Sequence, residues 1–304
     1  MRVRVAETTA LTFGDGSPVR AASAIAEFGD GYLVVQDDAT HAAWWRPGSV
    51  TAVRVVDPVD GLEVFSSAAG TKHLKPDFEA ACPVAGGGAA GVLLLGSGST
   101  AARMRASLVT LGPAGPSFAV ADLTPLYERV AAALGLPVGL LNLEGACQVD
   151  DRLRWFQRGN LVAGVPTASV DVDLTALLGA MTGAGADRVG VADPRRYDLG
   201  AVGHVALAVT DAVALGDGRV LVSAAAEDTP NAVDDGPVVG AALALLDDRA
   251  VRAVAELPVL PGGVPKVEGL AVRETNADGM RLLAVVDADD PAAPSEALEI
   301  SLRW

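Results

Sequence analysis

The chain has 304 residues, half of them apolar and a fifth charged, so a sizeable core can form and disorder is excluded as its organising state. A formal net charge of −15 sets it against phosphate backbones and anionic lipid, which weighs against nucleic acid and membrane surfaces as partners. Two cysteines, Cys82 and Cys147, are too few for a disulfide framework and lack zinc-site spacing; with no leader-like run in MRVRVAETTA and no apolar run of ~20 residues, a cytoplasmic setting is expected.

In chain order, the segment VRVAETTALTF reads as a strand without an immediate partner. SAIAEF (23–28), a GDG turn and YLVVQDD form a hairpin, with HAAWWRP and TAVRVV as third and fourth strands. GLEVFSS (61–67) has no clear place. FEAACPV (78–84), a Gly-rich turn and GVLLLGSGS repeat the hairpin, followed by RMRASLVTL and SFAVADL. DLTPLYERVAAALG (122–135) predicts a helix with Thr124 as cap, Pro125 in the first turn and Gly135 as stop. LEGACQV (143–149) and RLRWFQRGN make the next hairpin, with SVDVDL as a fourth strand and DLTALLGAM (173–181) as a weaker helix. Both helices read as insertions between an outer strand and the next unit. TDAVAL (210–215), RVLVSAAAED, VVGAALALLD and AVRAVAEL form another set, and VEGLAV (267–272), RLLAVVDADD and EALEISLRW the last.

Each unit is a run of four short antiparallel strands, which is a β-propeller blade. Ser23, Glu79, Glu144, Asp211 and Glu268 mark the repeats at spacings of 56, 65, 67 and 57 residues. The residues after Glu268 and those before Ser23 together make one more repeat, so the last blade takes its fourth strand from the N-terminus and hides both sheet edges. The expectation is an all-β, single-domain propeller over 1–304 with five blades. A sixth, degenerate blade at 61–67 stays open.

The first strand of each blade lines the central channel, so Ser23, Glu79, Glu144, Asp211 and Glu268 are expected to form a ring. Facing carboxylates raise one another's pKa unless a cation intervenes. Calcium, an oxygen-seeking ion of flexible geometry, is the cofactor that this pattern suggests. The alternative is that these acids cap backbone N–H groups of the next blade and need no metal.

The ends of the second strands gather Asp37, Asp38, Ser97, Ser99, Arg158, Asn160, Glu227, Asp228, Asp287 and Asp289 at one mouth, with Lys75, Asp77 and Lys266 just ahead of ring acids. This points to a small-molecule ligand or substrate, anionic if Lys75 and Lys266 bind it and do not merely balance the local charge; the alternative is an ordinary solvated rim of turn-forming Asp and Asn. Glu227, Asp228 and Asp289 are the candidate catalytic carboxylates; Asp37, Lys75, Asp77, Arg158, Asn160 and Lys266 are the candidate substrate contacts. His73 is an outside candidate for acid–base work. Cys82 and Cys147, each three residues after a ring acid, read as packing between blades. Aromatic residues are only 4% of the chain, which argues against a stacking platform. Three function classes follow: a metal-dependent hydrolase of phosphate esters or lactone-like esters, a ligand-binding propeller with a structural ion, and an interaction scaffold. The oligomeric state is not legible.

The segments KPDFEA, GSGS, LNLEGA, QRGN, LAVTDA, SAAAEDTP, KVEGLAV and VDADDP, spread over nearly the whole chain, resemble an uncharacterised bacterial propeller family of unknown function. The alternation of VEGLAV with LLAVVDADDP is similar to phytase-like and lactonase-like propellers. The ring pattern Ser, Glu, Glu, Asp, Glu is similar to calcium-activated nucleotidases (apyrases), which are five-bladed with a central calcium. That likeness implies calcium on Ser23, Glu79, Glu144, Asp211 and Glu268. The nucleotide-contacting segments of those enzymes are not found, so nucleotidase activity does not carry over.

Overall fold

The computed structural model describes residues 1–86, 89–229, 236–287, 290 and 292–304. Four-stranded antiparallel sheets repeat five times. Blade 1 holds β2 (Ala22–Phe28), β3 (Gly31–Gln36), β4 (His41–Arg46) and β5 (Ser49–Arg54). Blade 2 holds β6 (Phe78–Gly86), β7 (Ala89–Gly96), β8 (Arg105–Gly112) and β9 (Gly115–Asp122). Blade 3 holds β10 (Leu143–Val149), β11 (Arg152–Gln157), β12 (Ala168–Asp173) and β13 (Val191–Arg196). After a short ribbon of β14 (Ala201–Val202) and β15 (Val205–Ala206), blade 4 holds β16 (Ala208–Ala214), β17 (Val220–Glu227), β18 (Val238–Asp247) and β19 (Ala250–Glu256). Blade 5 holds β20 (Val267–Asn276), β21 (Gly279–Val286) and β22 (Glu296–Arg303), and its outer strand is β1 (Arg2–Ala10). The N-terminal strand thus closes the ring as the sequence predicts, running antiparallel from Arg2↔Arg303 to Ala10↔Glu296.

The links follow from local chemistry. Pro47 and Gly48 join β4 to β5, with Gly48 at φ 76°, a conformation that favours glycine. Asp150, at φ 54°, opens the two-residue link between β10 and β11. The core lies between neighbouring blades, where buried residues such as Leu93, Leu95, Trp155 and Val170 interdigitate.

Helix α1 (Thr124–Leu134) fills the space between blades 2 and 3 with Leu126, Tyr127, Val130 and Leu134. Thr124 is its first residue and not its cap: the N-cap position is Leu123, without a side-chain cap, and Asp122 accepts from the Thr124 N–H (2.8 Å) and hydroxyl (2.7 Å) in a turn just before it. Gly135 stops it in the left-handed conformation, as expected. Helix α2 (Leu174–Met181) corrects the reading of blade 3. SVDVDL is its third strand, the fourth is β13, and α2 sits between them. β13 reads VADPRR, whose proline and charges conceal its strand character. GLEVFSS is not a blade. It lies in the long link from β5 to β6, where Phe65 is buried and its N–H bonds to the Asp38 carbonyl (2.8 Å). Among the described residues no helix is long and apolar enough to cross a membrane.

Candidate functional site

Every inner strand breaks register at the same level. The shifts fall between Ala22 and Ala24, Phe78 and Ala80, Leu143 and Ala146, Val209 and Asp211, and Val267 and Gly269. Each is a β-bulge, in which an extra residue leaves the ladder and re-aims its side chain. The extra residues are Ser23, Glu79, Glu144 with Gly145, Thr210 and Glu268. An acid is tolerated inside an apolar strand because the bulge turns it out of the packing layer.

The bulges also correct the ring. In blade 4 the ring position is Thr210, and Asp211 occupies the paired place that Ala24, Ala80 and Gly269 hold elsewhere. The two hydroxyls do one job: Ser23 Oγ donates to the Phe78 carbonyl (2.6 Å) and Thr210 Oγ1 to the Val267 carbonyl (2.5 Å), each on the next blade. Asp211 Oδ2 accepts from the Leu270 N–H at 2.6 Å, again across blades. Burial pushes the Asp211 carboxyl well above the usual range, with Glu268 and Glu144 adding to it. The "EG" doublets are explained by the same contacts. A Cβ on Gly145, at φ 73°, would lie 2.7 Å from Asp211 Cα, and one on Gly269 would lie 2.7 Å from the Ile25 nitrogen.

The three glutamates and Ser23 open onto a cavity of about 860 Å³ at the mouth of the channel. A girdle of backbone hydrogen bonds holds its rim. Asp37 donates to Ala21, Asp77 to Asp37, Ser97 to Asp77, Leu143 to Ser97 and Arg158 to Asn142, all between 2.8 and 3.1 Å. The link from β5 to β6 forms one wall, with Phe65, Ser66, Ser67, Lys72 and His73.

Side-chain cations meet the carboxylates. Lys75 Nζ bonds Asp37, lies 2.6 Å from Asp77 Oδ1 and 3.9 Å from Glu79 Oε1. Arg103 lies 3.1 Å from Asp77, which also accepts from Ser97 Oγ. Arg158 bridges Glu144 (3.0 Å) and Glu227, and Lys266 bridges Glu268 (3.0 Å) and Glu227 (3.5 Å). Arg20, three residues before Ser23, pairs with Asp38. Burial opposes the Lys75 charge, but Asp37, Asp77 and Glu79 together carry its pKa well above the ordinary lysine value. Burial raises Glu79 well above the carboxylate range, helped by Asp37 and Asp77. Burial also brings Glu144 up to about 7, against the pull of Arg158.

The structure therefore gathers Asp37, Lys75, Asp77, Glu79, Glu144, Arg158, Lys266, Glu268 and Ser23 at one cavity. Glu227 does not line it; its side chain is buried, gripping Arg158 and Lys266, and its Oε1 accepts from the Gly236 N–H (2.8 Å). Asn160 and Asp228 do not line it. Asn160 Oδ1 accepts from the Ala163 N–H (3.0 Å) in a turn, and Asp228 is exposed. Asp289 lies outside the described residues. Arg20, Lys72, Arg103 and Asn142 complete the site unforeseen. Asn142 had a signal: it stands two residues before Glu144, as Asp77 and Lys266 do before Glu79 and Glu268. Arg103, on a 3-10 turn after β7, had none. Cys82 and Cys147 are buried free thiols beside a smaller, apolar cavity of about 250 Å³ at the far end of the channel. Burial pushes the Cys82 thiol up to about 12.

The ring reading requires a cation among facing acids. Among the described residues, Asp37, Asp77 and Glu79 have carboxylate oxygens within 4.8 Å of one another, the spacing of a metal site. Lys75 Nζ already stands among them.

Residues 71–291 match the model of a family described as one of unknown function, DUF6910. No curated protein matches the chain. Among solved structures, the mannose phosphorylase MPT-4 from Leishmania mexicana, in complex with phosphate ion, aligns with a TM-score of 0.50 at 13% identity, covering 99% of this chain and 89% of that one. A hypothetical protein from Leishmania major aligns with a TM-score of 0.49 at 14% identity, covering 99% and 91%. A thermostable family-43 glycoside hydrolase aligns with a TM-score of 0.40 at 10% identity, covering 96% and 92%. At such identity the phosphorylase likeness shows the fold and nothing finer.

Proposed function

We propose a function for a chain that belongs to the DUF6910 family, a family of unknown function: acid–base hydrolysis of a small polar ester at the mouth of the propeller. One observation carries this reading. Glu144 is buried on the cavity lining, is held at Oε1 by Asn142 (2.8 Å) and Arg158 (3.0 Å), and has its pKa brought to about 7 by burial. A proton donor works best when its pKa lies near the working pH. Glu144 gives its proton to the leaving oxygen. Glu268, paired with Lys266 across the ring, takes one from the attacking water, so that water adds across the ester bond to give acid and alcohol. Arg158, Lys75 and Lys266 steady the anionic part of a phosphate ester or the developing charge of a lactone-like ester. The setting we infer is cytoplasmic, where Cys82 and Cys147 stay thiols.

The test is a panel of aryl phosphates, hexose phosphates and lactones, with inorganic phosphate as competitor because the Leishmania mexicana phosphorylase is described with that ion bound. Glu144→Gln lowers kcat by about 100-fold or more on whichever ester the native protein cleaves, with the fold retained. Equal turnover by the variant rejects Glu144 as the donor. No turnover across the panel leaves a binding site without chemistry.

A second reading has its own observation. Asp37, Asp77 and Glu79 are spaced to hold a divalent cation, calcium by donor type. It requires Lys75 to leave their midst, because its ammonium already supplies the positive charge there. Calorimetric calcium titration of the native protein decides: micromolar binding supports the ion, and no heat at millimolar calcium removes it.

A further inference from the structure

We propose that the protein pairs with a second copy of itself through an uncharged apolar face at the mouth end of blade 3. The inference goes beyond the hydrolase reading and does not depend on any chemistry by Glu144.

Among the described residues, eleven large hydrophobic side chains are exposed, and four of them sit on two neighbouring links of blade 3: Val138 and Leu140 ahead of β10, and Leu161 and Val162 after β11. The links lie side by side. The Arg158 N–H donates to the Asn142 carbonyl (2.9 Å), the Asn142 N–H to Gln157 Oε1 (3.0 Å), and Gln157 Nε2 to the Leu140 carbonyl (3.4 Å). Both links have fixed backbones. Val138–Leu140 is a 3-10 turn. Asn160 and Val165 exchange two backbone hydrogen bonds (2.8 and 2.9 Å), and Asn160 Oδ1 accepts from the Ala163 N–H (3.0 Å). The turn so closed holds Leu161 66% and Val162 77% exposed, an arrangement that gains nothing within its own chain. Adjoining exposed apolar side chains of this kind mark an interaction surface. Elsewhere such side chains stand singly or among charges: Leu62 and Val64 flank Glu63, Val254 lies between Arg252 and Glu256, and Arg219 stacks over Trp304 (5.3 Å).

Charge selects the occupant. Residues 130–143 and 159–170 contain no Asp, Glu, Lys or Arg, in a chain whose formal net charge is −15. Across a two-fold axis a surface meets its own copy, so a face that carries one sign of charge opposes itself. Two such acidic chains repel each other wherever both present carboxylates, and they meet without that cost where neither does. A basic partner would be steered to carboxylates, which these links lack; a second copy needs none. A stable pair buries ~800 Å² on each side, with an apolar centre inside a polar border. Val138, Leu140, Leu161 and Val162 supply the centre, and the half-buried Asn142 and Asn160 begin the border. Asn142 and Arg158, where the two links meet the sheet, also line the mouth cavity, so the second copy stands at its edge and narrows the approach on the blade 3 side.

Sedimentation equilibrium of the full chain over the micromolar range tests it, at low and at high salt. The expected result is a dimer that tightens as salt rises, because screening weakens the repulsion between acidic copies and the face holds no ion pair to lose. Leu161→Asp and Val162→Asp change exposed side chains at the tip of the turn, outside the packed core. Each is expected to raise the dissociation constant about 100-fold or more, since the apolar burial is lost on both copies and like charges are set against each other. Val259→Asp, the same kind of change at a 72% exposed valine on the link after β19, leaves it unmoved. A chain that stays monomeric throughout overturns the proposal, as does a dimer that Leu161→Asp and Val162→Asp leave intact, or one that salt loosens. In a monomer, a fall in affinity for an alkyl or aryl ester in Leu161→Asp assigns the face to the substrate instead. Pairing without ester turnover removes the hydrolase and keeps the dimer; ester turnover by a monomer does the reverse.

Discussion

Glu144→Gln gives the sharpest stability prediction. Glu144 is 5% exposed, and burial moves its carboxyl pKa from the ordinary 4.5 to about 7. The folded pKa is the higher one, so between these values the native protein keeps a proton that the unfolded chain has released. Stability from this group is then full below about pH 4.5 and is lost as pH rises through about 7. At 1.36 kcal/mol per pKa unit the loss is about 3 kcal/mol. Glutamine has no proton to release and keeps an oxygen for Asn142 and Arg158, so the variant lacks this part of the pH dependence. Urea unfolding of both proteins at mildly acid and at alkaline pH measures it. The native protein is expected to lose stability relative to Glu144→Gln by about 3 kcal/mol on passing from acid to alkaline conditions. A stability difference that stays constant across that range refutes the argument that burial outweighs Arg158.

Gly145→Ala places a Cβ 2.7 Å from Asp211 Cα at φ 73° and is expected to cost roughly 3 kcal/mol or more, read as melting temperature or loss of folded protein, whereas Gly139→Ala, with open space around it, is near neutral. Lys75→Ala removes the cation shared by Asp37, Asp77 and Glu79, leaving only Arg103 beside Asp77, and should cost about 3–5 kcal/mol; millimolar calcium should restore part of it in thermal melts while leaving the native protein unmoved, and an equal response of both would contradict the assignment of Lys75 as the resident charge. Thr210→Val removes the bonds to the Val267 carbonyl (2.5 Å) and Ser223 Oγ (2.9 Å) and should cost about 1–3 kcal/mol, while Asp211→Asn, which keeps an acceptor for Leu270, should shift the melting temperature little at neutral pH.

The architecture was legible because a ring fold writes itself as a period. Four-strand units, the spacing of Glu79, Glu144 and Glu268, and the shortfall in the last blade were enough to place β1 beside β22. Blade 3 was misread at SVDVDL because α2 interrupts the blade and its outer strand is polar and contains Pro194. The ring was misread by one residue at Asp211. A linear pattern seeks the acid, whereas the bulge places Thr210 at that level, and only pairing registers distinguish the two. The cations ahead of the ring acids were visible as Lys75 and Lys266, with anion binding and local charge balance both open to them; which acids each one meets was not visible, since that depends on distances that sequence spacing does not carry. The wall from Phe65 to His73 and the side chain of Arg103 come from unrepeated links, where periodicity gives no guidance.

The placement of β1 orders the making of the molecule. The strand that leads the chain finds its partner only when residues 296–303 are present, so it must wait through nearly the whole length of the chain. Closing so remote a contact is entropically late, and topologies dominated by such contacts assemble slowly. Until it happens β22 has a bare outer edge, and the leading strand of a neighbouring molecule fits that edge as well as its own does. Concentration during refolding therefore decides between closed rings and chains exchanged end to end.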